Sequence, residues 1–358
     1  MYKKWNKNVI NDQINKISVL TSEKPGIIRY QRDLDTLCAI ANNKTKMFQP
    51  DSNFQEQIKY DKELINRNKP FINDIDIFNN NIDDNQFKNI DGVIERVIPQ
   101  KYLISFVHDF YNSIDKDFAH IFNKLFKDRK DNLRLTKKEH EGFNRNYISY
   151  IKTLNYPYIN IHLTDTVDDF LNLVHEYAHA IADYMYFRPQ YGRYPFIELL
   201  PMFMEKLASE ILLEDFDDME EDIAISNALT TRTILRYADE ISIESNYLSH
   251  NNINDSRKAF ISNMSSFTGD TKTKIERMMD VSLEEKLSYT IPYLTMIEFY
   301  TLFNNDPQEA MYVLKELIKA NNIKDYYEFL QHNNLIINEH SKDFIDKQQK
   351  ELRLTRFG

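Results

Sequence analysis

The sequence predicts a mainly α fold with a small β element, and three observations carry that prediction. Glycine is scarce, 6 residues in 358, so few positions can take a positive φ without strain and a turn-rich β architecture is disfavoured. Apolar residues recur at helical spacing over long stretches. One segment, NYISYIKTLNYPYINIHLT, breaks that pattern with a concentration of Tyr, Ile and Thr, the residue types of strands. Hydrophobic residues make up 42% of the chain, with 22 Tyr and 23 Phe, enough apolar surface to build a core rather than a disordered chain. At ~150 residues per domain the length allows about two domains, expected as an N-terminal helical region over 1–145 and a second, mostly helical region over 146–358.

Residues 1–50 read as helical. Residues 51–95 are rich in Asn, Asp and Ile, with runs such as FNNNIDDNQF; a low-complexity linker and ordinary surface helices both fit that composition. From Pro99 to Phe126, Leu103, Phe106, Phe110, Ile114, Phe118, Ile121 and Leu125 define one amphipathic helix. Residues 128–145 are charged, contain Gly142 and read as a connector. Tyr158–Leu163 is the clearest strand, and Pro157 at its entry suits an edge position because proline cannot donate to a ladder. TDTVDD at 164–169 then supplies N-cap oxygens and first-turn acids for a long helix expected to run to about Tyr186. The remainder reads as helices broken near Gly192, Asn251–Asp255, Gly269 and Asp306–Pro307.

Composition removes several function classes. No glycine-rich phosphate loop is present, which excludes the dinucleotide-binding and P-loop motifs. Lys+Arg is 45 against Asp+Glu 55, a formal net charge of -10; such a chain repels nucleic acid and anionic membrane at long range, so neither is expected as a partner. The most apolar stretch, Pro195–Leu213, holds Glu198, Glu205, Lys206 and Glu210 and cannot be a membrane span. Cys38 is the single cysteine, which suits a reducing compartment. MYKKWNKNVI has no apolar run of the signal-peptide kind, and a cytoplasmic location is expected.

The chemistry concentrates in LNLVHEYAHAI at 171–181, where His175-Glu176-Tyr177-Ala178-His179 fits H-E-x-x-H. Residues four apart lie on one helix face, so His175 and His179 can bind one zinc ion, and Glu176 beside the first ligand can act on a water rather than on the metal. The helix is two-sided: Phe170, Leu171, Val174, Ala178 and Ile181 form an apolar stripe, and Asp168, Asn172, His175, His179 and Asp183 a polar one. The plain alternative is a surface helix with two solvated histidines. A zinc site with two histidines needs a third protein ligand. Glu198, 19 residues after His179 in a strongly apolar segment, is the candidate, because an ionised carboxylate there must be paired or metal-bound. Glu205, two turns further on, is expected to support a ligand; the alternative for both acids is a surface bond to Lys206 or Arg193. Pro201 either starts this helix or kinks it.

These residues resemble the oligopeptidase family that includes oligoendopeptidase F and thimet oligopeptidase. The resemblance rests on a strand with an acidic cap (YPYINIHLTDTVDD), the HExxH helix (LVHEYAHA) and a Glu-x6-Glu helix (ELLPMFME), with RPQYGRYP between them similar to the family connector; together they span about 155–215. It implies a zincin-like metallopeptidase fold, mainly α with a small β edge beside the HExxH helix, one Zn2+ held by His175, His179 and Glu198, and hydrolysis of short peptides with Glu176 as general base. The family has Gly at the position of Ala178 and often His at that of Asp183. Its late oxyanion-stabilising His and Tyr cluster has as counterpart LSYTIPYLTMIEFY, with Tyr289, Tyr293 and Tyr300 but no histidine. Tyr158–Leu163 is expected to pair with the substrate backbone, and His162 on it to be an ordinary strand residue or to face the cleft. Competing readings are a zincin-like module that binds peptide or protein without turnover, a zincin exopeptidase, and a metal-free helical protein.

Overall fold

The computed structural model describes residues 6–24, 28–42, 54–82, 87, 100–136, 146–185, 197–216, 219–251, 257–319, 323–333, 335 and 337–357. The chain divides into two compact units. One comprises Met1–Phe48, Ile94–Pro189 and Met204–Asp222, the other Gln49–Val93, Gln190–Phe203 and Ile223–Gly358.

The first unit holds α1 (Lys7–Glu23), α2 (Ile28–Ala41), α5 (Gln100–Ile114), α6 (Lys116–Phe126), the short α7 (Arg129–Asn132), strands β1 (Leu133–Thr136), β2 (Tyr147–Ile151) and β3 (Tyr156–His162), α8 (Asp168–Met185) and most of α9 (Leu199–Asp215). The helix expected over Pro99–Phe126 is two helices. Asp115 takes an extended conformation (φ -157, ψ 141) and its carboxylate accepts the N–H groups of Asp117 and Phe118, an N-cap that restarts the helix. Residues 133–136, expected to be a connector, form β1, in which Leu133, Arg134 and Leu135 are buried and Thr136 is half-buried.

The sheet has the order β1-β3-β2, with β1 parallel and β2 antiparallel to β3. The strand expected at the edge is therefore the central one. Pairing with β1 begins at Ile159, past Pro157, so the proline sits at the end of that ladder, where a missing donor is tolerated. Side chains alternate along β3. On one face Tyr158 joins Ile10, Ile17, Leu37, Ile40 and Ile151 in a cluster with α1 and α2, and its hydroxyl donates to Gln13 Oε1 at 2.7 Å. His162 shares this face by parity. Ile159 and Ile161, both fully buried, point to the opposite face with Tyr150, which feels Asp183 and Tyr184 of α8; α8 packs there.

The second unit holds α3 (Phe54–Arg67), α4 (Lys69–Asn81), most of α10 (Glu220–His250), α11 (Arg257–Thr268), α12 (Lys272–Met278), α13 (Leu283–Asn305), α14 (Pro307–Leu317), α15 (Ile323–His332) and α16 (Ser341–Phe357). Residues 54–82 are folded helices and not a linker: Phe71, Ile72, Ile75 and Phe78 of α4 are buried. Asp76 and Asn79 of α4 both bond Ser242 Oγ of α10. The 23-residue α13 is buried from Leu283 to Tyr300 on nearly every side, the mark of a core helix. Asp306 ends it and caps α14 at Pro307, as expected from sequence. Gly269 (φ 76) ends α11, also at an expected break; Gly192 and residues 252–255 lie outside the described residues. Inside this unit Lys286 is fully buried, its Nζ 3.2 Å from Glu240 Oε2 and 2.5 Å from Glu244 Oε1. No helix among the described residues is long and apolar enough to cross a membrane.

Candidate metal centre

The entry to α8 is built by one carboxylate. Asp169 accepts hydrogen bonds from Thr164 N (2.8 Å), Thr164 Oγ1 (2.9 Å) and Asp165 N (2.9 Å). These bonds hold the sharp corner after β3, where Asp165 has φ 61, a conformation that short polar residues tolerate. Burial raises the Asp169 carboxyl above its ordinary range, and the bonds from Thr164 and Asp165 counter that rise.

Along α8, burial extends well beyond the expected stripe: Leu173, Glu176, Tyr177, Ala180 and Ala182 are buried as well. An aromatic stack encloses it. Tyr111 of α5 stacks on Phe122 of α6 (centroids 4.6 Å), and Phe122 meets Tyr177 (5.1 Å) and Phe126 (4.8 Å). The Tyr111 hydroxyl donates to the Val174 carbonyl at 2.6 Å. Phe106 meets Phe170 edge-on at 5.2 Å. The sequence pattern had marked Phe110 and not Tyr111, because a hydroxyl reaching a helix carbonyl leaves no trace in apolar periodicity.

His175 and His179 lie side by side with ring centroids 4.9 Å apart. His175 Nδ1 is 3.0 Å from Glu205 Oε2 of α9, both partly exposed at 17% and 29%. An ionised carboxylate only accepts, so the ring nitrogen facing it carries the proton and Nε2 keeps its lone pair. Lys206, the other partner considered for these acids, is bonded to Glu210 on its own helix. Pro201 falls in the first turn of α9, where N–H groups have no intrahelical partner, and the Met202 N–H donates to the Glu198 carbonyl at 2.9 Å, so helical geometry reaches back to Glu198. Glu198 and Glu205, seven residues apart, share one face. Ligand atoms of His175, His179 and Glu198 all lie within 4.8 Å of one another. Two imidazoles and a carboxylate at that spacing are a donor set for zinc, and these residues can hold a metal ion. Glu176, 6% exposed, is next to the first of them.

Of the three tyrosines on α13, two are built into the core. Tyr293 is 3% exposed and bonds Thr231 Oγ1 at 2.7 Å, and Tyr300 is 8% exposed and packs edge-on against Phe344 at 6.0 Å. Tyr289 is half-buried and lies 6.4 Å from the Tyr237 ring. RPQYGRYP at 188–195, with Arg193, lies outside the described residues.

The fold is of a known type. No family model matches the chain, and no curated protein matches it. Solved structures of oligoendopeptidase F-like proteins share its architecture, mainly α with a small sheet beside the helix of the histidine pair. A protein described as an oligoendopeptidase F from Bacillus anthracis str. Ames matches with a TM-score of 0.50 and 16% identity, over 95% of this chain and 64% of that chain. A protein described as a peptidase from Chlamydophila abortus matches with a TM-score of 0.52 and 13% identity, over 95% of this chain and 63% of that chain. The chain thus spans somewhat less than two thirds of either one.

Proposed function

We propose that this chain is a zinc-dependent peptidase that hydrolyses short peptides, with His175, His179 and Glu198 as metal ligands and Glu176 as general base. The observation that carries the reading is the convergence of those three donors within 4.8 Å beside a buried glutamate. Zinc bound there supplies Lewis-acid polarisation of the scissile carbonyl and of water. Glu176 takes a proton from the attacking water and passes it to the leaving amine. Glu205 holds the His175 ring in the tautomer that leaves Nε2 as ligand atom.

Substrate pairing moves from the strand first expected to carry it. With β3 in the centre of the sheet, both its ladders are used, and the outer strands β1 and β2 are where an extended peptide can add. β2 is favoured because it packs along α8.

A zincin-like module that binds peptide without turnover is the second reading, favoured by the segment LSYTIPYLTMIEFY, which holds no histidine. Elemental analysis of the purified protein and a fluorogenic peptide assay with and without chelator separate them. Zinc at one ion per chain with chelator-sensitive cleavage supports the peptidase; zinc without cleavage supports the binding module; a metal-free protein sinks both. Product analysis on a terminally blocked peptide distinguishes endopeptidase from exopeptidase action.

A further inference from the structure

The turn that leads into α16 encloses a feature that peptide hydrolysis does not use. A cavity of about 330 Å³ is lined by Phe78, Asn81 and Ile82 from α4 and its end, and by Asn338, Ser341 and Lys342 at the start of α16. All six belong to the second unit. Ser341 is 2% exposed, yet its hydroxyl has no hydrogen-bond partner among the described residues. Buried hydroxyls are ordinarily paired, because an unmade bond costs the desolvation of the group. Asn338 is oriented by a bond from its Nδ2 to the Asp74 carbonyl at 2.6 Å, which leaves its Oδ1 as an acceptor, and that oxygen is likewise buried, with no bond among the described residues. The left-handed backbone of Asn338 (φ 76) sets the turn.

The wall has a definite electrical character. Ser341 and Lys342 open a 17-residue helix, whose N-terminal N–H groups carry partial positive charge. Lys342 adds an ammonium. No carboxylate is among the described lining residues, in a chain whose formal net charge is -10. Phe78, buried at 1% exposure, and Ile82 give an apolar floor. The occupant that satisfies these groups together is anionic, for the helix start, Ser341 and Lys342, and also carries an N–H or O–H for Asn338 Oδ1.

We propose that this cavity binds a small oxyanion that also donates a hydrogen bond, a description shared by hydrogen phosphate and by the carboxylate and ammonium groups of a free amino acid. Isothermal titration of the full chain with inorganic phosphate and, separately, with L-leucine tests the proposal and distinguishes the two sources. The expected result is saturable one-to-one binding of at least one probe, weakened at least about threefold in Ser341→Ala, the loss expected for one hydrogen bond, and weakened again in Lys342→Gln. Both substitutions sit at the start of a helix and should leave the melting temperature without probe unchanged, which circular dichroism checks. Absence of saturable binding by either probe, or binding that both variants retain in full, overturns the proposal.

Discussion

Replacing Lys286 by methionine should destabilise the second unit strongly, and more at pH 8 than at pH 6. The side chain is fully buried and its ammonium lies 3.2 Å from Glu240 and 2.5 Å from Glu244, which are themselves 12% and 11% exposed. Methionine keeps the volume and removes the charge, so two carboxylates remain facing each other with nothing between them. Taking away one partner of a buried ion pair costs about 3–5 kcal/mol. Proton uptake offsets part of that cost. Burial already raises the Glu244 carboxyl to about 7, and Lys286 is the chief influence lowering it; without the ammonium it moves higher still. Above pH 7 the native protein has released that proton while the variant keeps it, and each pH step in that window adds about 1.4 kcal/mol to the difference. The loss at pH 8 should therefore exceed the loss at pH 6 by up to about 1.4 kcal/mol. Urea unfolding followed by circular dichroism at the two pH values measures both quantities. A loss under about 1 kcal/mol at pH 8, or equal losses at both, would refute the assigned role of the ammonium. Combining Lys286→Met with Glu244→Gln should recover much of the stability, because neutral replacement of a buried ion set is close to neutral in free energy.

Glu176→Gln should abolish peptide turnover while zinc stays bound at one ion per chain; full activity in that variant ends the proposed mechanism. Glu205→Gln should weaken zinc binding by about 10–100-fold, as loss of a carboxylate behind a ligating histidine does, read by competition with a chromogenic chelator; unchanged affinity removes its positioning role. Asp169→Ala removes three hydrogen bonds from a 5% exposed carboxylate and should cost about 2–3 kcal/mol, seen as a lower melting temperature. The native protein itself should lose stability between pH 5 and pH 8. Burial raises Asp61 to about 6 and Glu244 to about 7, so the folded state holds protons that the unfolded chain has released; their contribution is complete below the ordinary carboxylate range and lost as pH rises through 6 to 7. A melting temperature flat or rising over that interval contradicts it.

The parts of the fold legible in sequence were those governed by local chemistry. Helical periodicity and scarce glycine announced the mainly α class, TDTVDD placed the start of α8, and Asp306–Pro307 and Gly269 marked real helix ends. What escaped depended on partners distant in the chain. Asp115 split a periodic run because its carboxylate capped a new helix, although periodicity continued across it. β1 was hidden because Leu133 and Leu135 are too few to signal alternation, and its pairing with Ile159–His162 crosses a long separation. Pro157 argued for an edge when only the end of one ladder was involved. The histidine pair with Glu176 could be picked out by spacing, whereas the bond from His175 to Glu205 rather than from Lys206 required α9 to lie against α8.

The Tyr111 hydroxyl on the Val174 carbonyl, with the rings of Phe122, Phe126 and Tyr177 around it, grips α8 one residue before the first histidine. Aromatic contacts and a buried hydrogen bond supply that grip without help from any ion. Chelation should leave the scaffold standing and the imidazoles close to their working positions, so that metal can be stripped and restored, or exchanged for cobalt as a spectroscopic reporter, without a round of refolding.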